Sequence, residues 1–478
     1  MKRITYLLSL VPLVLFASCT KQLTEDPHSF LTPSNFYKTA ADAQSALNGA
    51  FSPLQAQTYY QRTVYIIAEP MDCWYPNPIS GDRGDLYAGT YTATNGEISN
   101  WWVSSYKLIK NANDVITYVP GINMDTTQRN NIVGNARFLR GMAYFDLVRT
   151  FGDVPLVLGP NSDSTSLFPK RTPAAQIYQQ IFADLGYAEA NCFHTAQISS
   201  ANVGMISSEA ASTMMARAYL QHSSTSYAAS TDAQNALTEC NKVIAYSTAN
   251  PTVLALVPNY ASIFNVSSKN GPECIFSIQF GAAPNPVNLT NRMFDPTALP
   301  TYGGYGSLIA LNSYYNSFDP EDTIRRDEAV GTVNGGFHWI SKYRDPGVKA
   351  GASGRNNWIV LRYADVLLMQ SEALNDINPT DPTKFGGINL VRARAGLSDK
   401  LLNFTNTPAS ADFVNALVNE RAWELGVEGQ RRWDLIRLGK YQQVKAAQGY
   451  TIDNNHLLLP LPQTELDLNA NLVQNPGY

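Results

Sequence analysis

The chain is poor in charge and in the side chains that build metal centres. Charged residues make up 15% of its 478 positions, and it holds only 5 histidines and 5 cysteines. His28, His194, His222, His338 and His456 form no HExxH and no i, i+4 pair, so each reads as a loop residue. Cys73, Cys192, Cys240 and Cys274 lack CxxC spacing, which disfavours zinc; they read as buried thiols or as disulfides that spacing alone does not pair. Also missing are GxSxG, GxxxxGK[ST] and a GxGxxG after a strand, so the common hydrolase, phosphate-loop and dinucleotide signatures are absent. A net charge of -4 with pI near 5.8 leaves no basic excess, which argues against nucleic acid as a partner.

Long apolar runs are scarce as well. Tyr6 to Ala17 is apolar but too short for an ordinary membrane span, and Lys2 and Arg3 precede it, so residues 1–18 read as a secretory signal. It ends Phe16-Ala17-Ser18-Cys19, which resembles a lipobox with Phe16 in place of the usual Leu. Cys19 is the expected lipidation site and residues 19–34 the tether; the alternative is ordinary cleavage nearby, releasing a soluble periplasmic protein. Several acyl chains at roughly 0.8 kcal/mol per buried methylene would hold such a protein firmly. Glu25-Asp26 soon after the cysteine is similar to signals that export lipoproteins to the outer face.

What the chain does have is hydrophobic periodicity: 44% of its residues are hydrophobic, enough for one large core or two modest ones. The segment organising it is Asn135 to Pro155. Ile132, Ala136, Leu139, Ala143 and Leu147 make one stripe and Arg140, Tyr144, Val148 and Phe151 another, so the spacing predicts a helix covered on two sides. Gly152 and Pro155 predict its end near Phe151. Arginines on a covered helix need partners, and Asp365, Glu372, Glu420, Glu424, Glu428, Arg432, Asp434 and Arg437 lie in other apolar helical patterns. A buried ion network joining these three segments is therefore expected. Ala43 to Leu54, Ile98 to Val119, Ile177 to Ala188, Ala210 to Leu220 and Ala233 to Tyr246 also carry helical period, with Thr172-Pro173 and Ser230-Thr231-Asp232 as start signals. Helix pairs of this size suggest a tetratricopeptide-like solenoid without the strict 34-residue consensus. Glu273 to Phe280 reads as a strand within an irregular, Pro- and Gly-rich stretch, and helical pattern resumes at Val360 to Leu374, Asn389 to Arg394 and Phe413 to Leu425.

The runs ARFLRGMAYFDLVRTFGDVPL, LRYADVLLMQSEALN, INLVRARAG and NERAWELGVEGQRRWDLIRLG, in this order, resemble the signature blocks of the SusD/RagB family of surface nutrient-binding lipoproteins. The resemblance extends from Cys19 to the closing LLLPLPQTELDLNANLVQNPGY. It implies a mainly α fold with tetratricopeptide-like repeats, a large loop-rich insertion and few short strands. The expected parts are an N-terminal helical-repeat part at 35–250, a ligand-presenting segment at 251–357 and a C-terminal helical part at 358–478 closing the same fold. It also implies outer-membrane location facing the cell exterior, a SusC-like TonB-dependent transporter as partner, glycan as ligand, and no catalysis or cofactor; calcium is possible but not indicated.

Aromatics make up 11% of the chain, and their placement among short polar residues and turn formers is what suggests a binding surface. A pyranose offers apolar faces to flat rings and a rim of hydroxyls to Asp, Asn and Arg. By that logic Trp74, Tyr75, Tyr302, Tyr305 and Trp339 are the candidate platforms, with Asp72, Asn77 and Arg83 as their polar companions. Trp101 and Trp102 read as core. Peptide binding on the same scaffold is the nearer rival; a glycoside hydrolase using paired carboxylates, and a pure scaffold, are further ones.

Overall fold

The computed structural model describes residues 32–69, 72–160, 167–282, 286–297, 303–333, 336–349 and 351–478. The signal segment, Cys19 and Tyr302 lie outside these described residues.

The organising helix spans Thr126–Phe151. Asp125 caps it, its carboxylate accepting the Gln128 N–H at 2.9 Å. Every residue from Val133 to Phe151 is buried except Arg137, because the Gly96–Tyr118 and Ala174–Asn191 helices cover it from either side. Gly141 lets the second of these come close, since a Cβ there would stand 3.3 Å from Leu185. The helix ends at Gly152, whose φ of +73° disfavours other residues. Next come Ser208–His222 and Asp232–Ala249, which pack together. His222 at the end of the first meets Asp232 at the start of the second at 2.7 Å, as in an antiparallel pair.

Two start signals act differently from the sequence reading. Pro173 precedes the first helical residue, Ala174, and the cap is the distant Asp153 carboxylate, 2.8 Å from the Ala174 N–H. Thr231 makes no side-chain cap; Asp232 turns back instead to the Ala229 N–H and to His222.

Among the described residues six short strands follow chain order: β1 (Trp74–Pro76), β2 (Cys274–Ile278), β3 (Leu308–Ala310), β4 (Val330–Val333), β5 (Phe337–Ile340) and β6 (Trp358–Arg362). They form three antiparallel ribbons, β1 with β3, β2 with β6 and β4 with β5. The strand expected around 273–280 is β2, and its partner β6 takes the first residues of what the sequence reads as a helix from Val360; the helix itself is Tyr363–Ile377. The stretch that reads as irregular loop also contains the helices Thr290–Phe294, Asn312–Ser317 and Thr323–Ala329, and the candidate Arg83 lies on a helix, Gly81–Ala88. The last large elements are Phe385–Arg394, Ser410–Leu425 and Arg431–Arg437.

The buried ion network exists, with a different membership. Arg421 bridges Asp365 and Asp434, each at 2.8 Å, and Arg437 joins Asp434 to Glu372, so the 363–377, 410–425 and 431–437 helices are tied as expected. Arg140 of the organising helix does not take part: it forks onto Asp184 at 2.7 Å and reaches Asn113. Arg149 supplies the link, holding Asp146 at 2.7 Å and Gln430 at 2.8 Å with its guanidinium 3.5 Å over the Trp433 ring. Further arginines come from outside the expected segments, among them Arg217 on Asp365 at 2.7 Å and Arg392 on Glu420 at 2.8 Å. Arg325 binds Asp322, Glu420 and Glu424; Arg362 binds Glu273, Glu424 and Glu428; Arg394 binds Glu273 and Glu424. Burial alone would raise the Glu424 carboxyl, but Arg394, Arg362 and Arg325 outweigh it and hold it well below the usual carboxylate range.

Candidate functional site

The β1–β3 ribbon sets the candidate site because successive strand residues face opposite ways. Trp74 opposes Ala310 and turns inward, fully buried and edge-on to Phe294 with centroids 6.2 Å apart. Tyr75 opposes Ile309 and is half-buried, its ring 6.5 Å from that of Tyr87. Asn77 is exposed, and its N–H donates to the Ser307 carbonyl at 2.8 Å, extending the ribbon by one bond.

Two residues before Ser307 stands Tyr305, 52% exposed. Its N–H donates to the Arg292 carbonyl at 2.7 Å and the next N–H, of Gly306, to the Asp295 carbonyl at 2.9 Å. These bonds lay the chain across the end of the 290–294 helix. Gly304 permits that approach, since a Cβ would lie 2.6 to 2.8 Å from the carbonyl oxygens of Arg292, Asn291 and Asp295. The Arg292 guanidinium sits 4.5 Å from the Tyr305 ring centroid and also meets its hydroxyl, so the exposed ring is held in place. Ile79, 49% exposed, adds apolar surface just past Asn77.

The remaining sequence candidates fall elsewhere. Trp339 lies on β5 opposite Gly331 and is 4% exposed, its indole folded over the glycine where any Cβ would collide with it. As with Trp74, the expectation of an open stacking face does not match this burial, which comes from strand pairing. Asp72 is committed to Arg431, 2.9 Å away, an ion pair that fastens the start of β1 to the 431–437 helix. Arg83 leans toward Glu97 at 3.6 Å, a carboxylate already held by Arg62 and Thr63. Tyr75, Asn77, Arg83 and Tyr305 therefore keep accessible atoms, and the Asn77 backbone is joined to Ser307, two residues from Tyr305.

One aromatic pair escapes the sequence reading. Tyr315 and His338 stack with centroids 4.0 Å apart at 17°, Arg326 lies 5.2 Å from the Tyr315 centroid, and His338 Nδ1 is 3.0 Å from the Thr332 hydroxyl. β3 packs beside β5, the strand that carries His338, so this pair lies near the ribbon. No sequence signal joins Tyr315 to a residue on another hairpin.

The carboxylates a hydrolase would need offer little. Glu372, Glu420, Glu424 and Asp434 are all bound by arginines inside the network.

Comparison with known proteins decides the family. The pattern described as SusD family matches residues 311–478, and one described as "Starch-binding associating with outer membrane" matches residues 37–220. A SusD-like protein of Formosa agariphila, P2, is 29% identical over all of this chain and 99% of its own length. The chain belongs to the SusD/RagB family. Members of this family are non-catalytic binding proteins, and the family is one of glycan-binding surface proteins. The fold agrees: a SusD homolog from Bacteroides thetaiotaomicron superposes with a TM-score of 0.82 at 21% identity, covering 93% of this chain and 98% of that one. A surface glycan-binding protein A from Bacteroides fluxus gives 0.76 at 21% identity, with coverage of 92% and 100%.

Proposed function

We propose that this SusD-like chain is a lipoprotein anchored through Cys19 to the outer face of the outer membrane, where it binds oligo- or polysaccharide. It passes the glycan to a SusC-like TonB-dependent transporter over whose mouth it acts as a lid. The 251–357 segment presents the ligand together with the 72–88 region. A tether at one end keeps the lid near the barrel at high effective concentration.

The observation carrying the binding reading is the half-exposed Tyr305 ring, braced by Arg292, with the exposed Asn77 bonded to Ser307 two residues along the same chain. A fixed flat ring suits a sugar face, and an exposed amide on the paired strand suits its hydroxyl rim. Affinity electrophoresis of the mature protein on plant, host and microbial glycans tests it. Retardation by one glycan class is expected; retardation by none, with binding of peptides instead, would replace glycan with peptide cargo. For the anchor, Cys19→Ala is expected to move the protein out of the membrane fraction.

A further inference from the structure

The 290–294 helix and the 352–356 segment hold a group of buried oxygens that, among the described residues, no protein donor satisfies. Asp295 is fully buried, and neither of its carboxylate oxygens accepts a hydrogen bond. Asn291 and Asn356 are 1% and 2% exposed, and the side-chain oxygen of each is likewise without a donor. Those oxygens are not misassigned amide nitrogens. Asn291 donates its Nδ2 to the Ala352 carbonyl at 3.2 Å and Asn356 donates its own to the Phe264 carbonyl at 3.0 Å, which fixes which end of each amide points inward.

The oxygens also converge. A Cβ on Gly354 would lie 2.8 Å from Asn291 Oδ1 and 3.1 Å from Asn356 Oδ1, so both face one spot that the missing side chain leaves open. Asp295 follows Asn291 by one helical turn, with the Asp295 N–H on the Asn291 carbonyl at 2.7 Å, and residues so spaced share a face. A carboxylate with no donor in a buried setting is expensive, and burial pushes the Asp295 carboxyl up to about 8. Protonation would answer for one acid but not for the two amide oxygens turned the same way.

We propose that Asp295, Asn291 and Asn356 ligate a divalent cation of the calcium type. The donors are all hard oxygens, two of them neutral amides, a set that suits calcium and not zinc or copper. Among the described residues no three His, Cys, Asp or Glu side chains are placed to hold a metal ion, and here two of the three donors are amides. With one carboxylate the affinity belongs at the weak end, on the order of 10⁻⁴ to 10⁻³ M, as in extracellular modules. The ion would lock the 290–294 helix to the 352–356 segment, and that helix carries the carbonyls on which Tyr305 and Gly306 rest. The cation site does not depend on the glycan reading and is tested without any sugar.

The test is terbium titration of EDTA-stripped protein with indole excitation, since Trp74 packs on Phe294, the neighbour of Asp295. It is followed by calcium competition and by thermal melts with calcium or EDTA. Expected are saturable terbium luminescence displaced by calcium, a melting temperature raised by calcium, and loss of both responses in Asp295→Asn. In Asn291→Ala, which keeps the carboxylate, affinity is expected to fall about tenfold, or ~1.4 kcal/mol. Wild-type protein without saturable luminescence or a calcium shift at about 10 mM, well above that affinity range, would overturn the proposal. So would an unchanged calcium response in either variant.

Discussion

Removing Arg325 would leave the buried carboxylates of Asp322, Glu420 and Glu424 without the guanidinium they share. Arg325→Met keeps most of the volume and deletes the charge; Glu420 keeps Arg392 and Glu424 keeps Arg362 and Arg394, so the cost is chiefly that of the orphaned buried Asp322, about 3 to 5 kcal/mol. Urea denaturation measures it, and a loss below ~1 kcal/mol would show that the network is not holding the helices together. Arg325 is invisible to sequence reasoning because Thr323–Ala329 is too short to display a period, whereas Arg421 stands out inside a long apolar helix. The neighbours Trp74 and Tyr75 teach the same lesson. Both sit among turn formers and both read as exposed, yet pairing with β3 buries one ring and leaves the other half open. That pairing is set by residues far along the chain, which no local pattern reveals.

At the scale of elements, the crossing of the 363–377 and 385–394 helices depends on Gly387. A Cβ there would strike the Leu367 carbonyl and come within 2.9 Å of the Ser371 hydroxyl, which itself accepts the Ile388 N–H at 2.9 Å. Since backbone is the obstacle, Gly387→Ala must push the helices apart. The expected destabilisation is about 1 to 3 kcal/mol, read as a lowered melting temperature, and an unchanged melt would contradict the close crossing. Long helices such as 96–118, 126–151 and 410–425 are legible because their apolar stripes run for several turns. The strands and short helices between 286 and 349 are not, since strands of three or four residues carry too few alternations.

At the scale of the whole molecule, two groups of carboxyls pull stability in opposite directions with pH. Burial pushes Glu69 up to about 7, against the N–H groups of Gln430, Arg431 and Gly429 that it accepts. Its contribution is therefore full below the unfolded pKa of about 4.3 and is lost as pH rises toward 7. Asp365 behaves oppositely: burial raises it, but Arg421 and Arg217 outweigh that and hold it well below the usual range. Asp434 is lowered too, burial opposing and Arg421 and Arg437 prevailing. With Glu424 these contribute stability above about pH 4 that disappears as pH falls through their depressed values. A melting-temperature series is expected to peak between about pH 4.5 and 6, falling steeply on the acid side and gently toward neutrality. Glu69→Gln should reduce the neutral slope, to which the raised Asp295 also contributes, while leaving the acid limb in place.

The receptor account rests on Tyr305 being a sugar platform and not packing. Titration calorimetry of the mature protein with a glycan that retards it, beside Tyr305→Ala, puts this to the test. The ring is 52% exposed, so its removal is expected to leave the melting temperature within a degree or two while weakening binding about tenfold or more. Equal affinity in the variant, with its fold intact, would contradict the site.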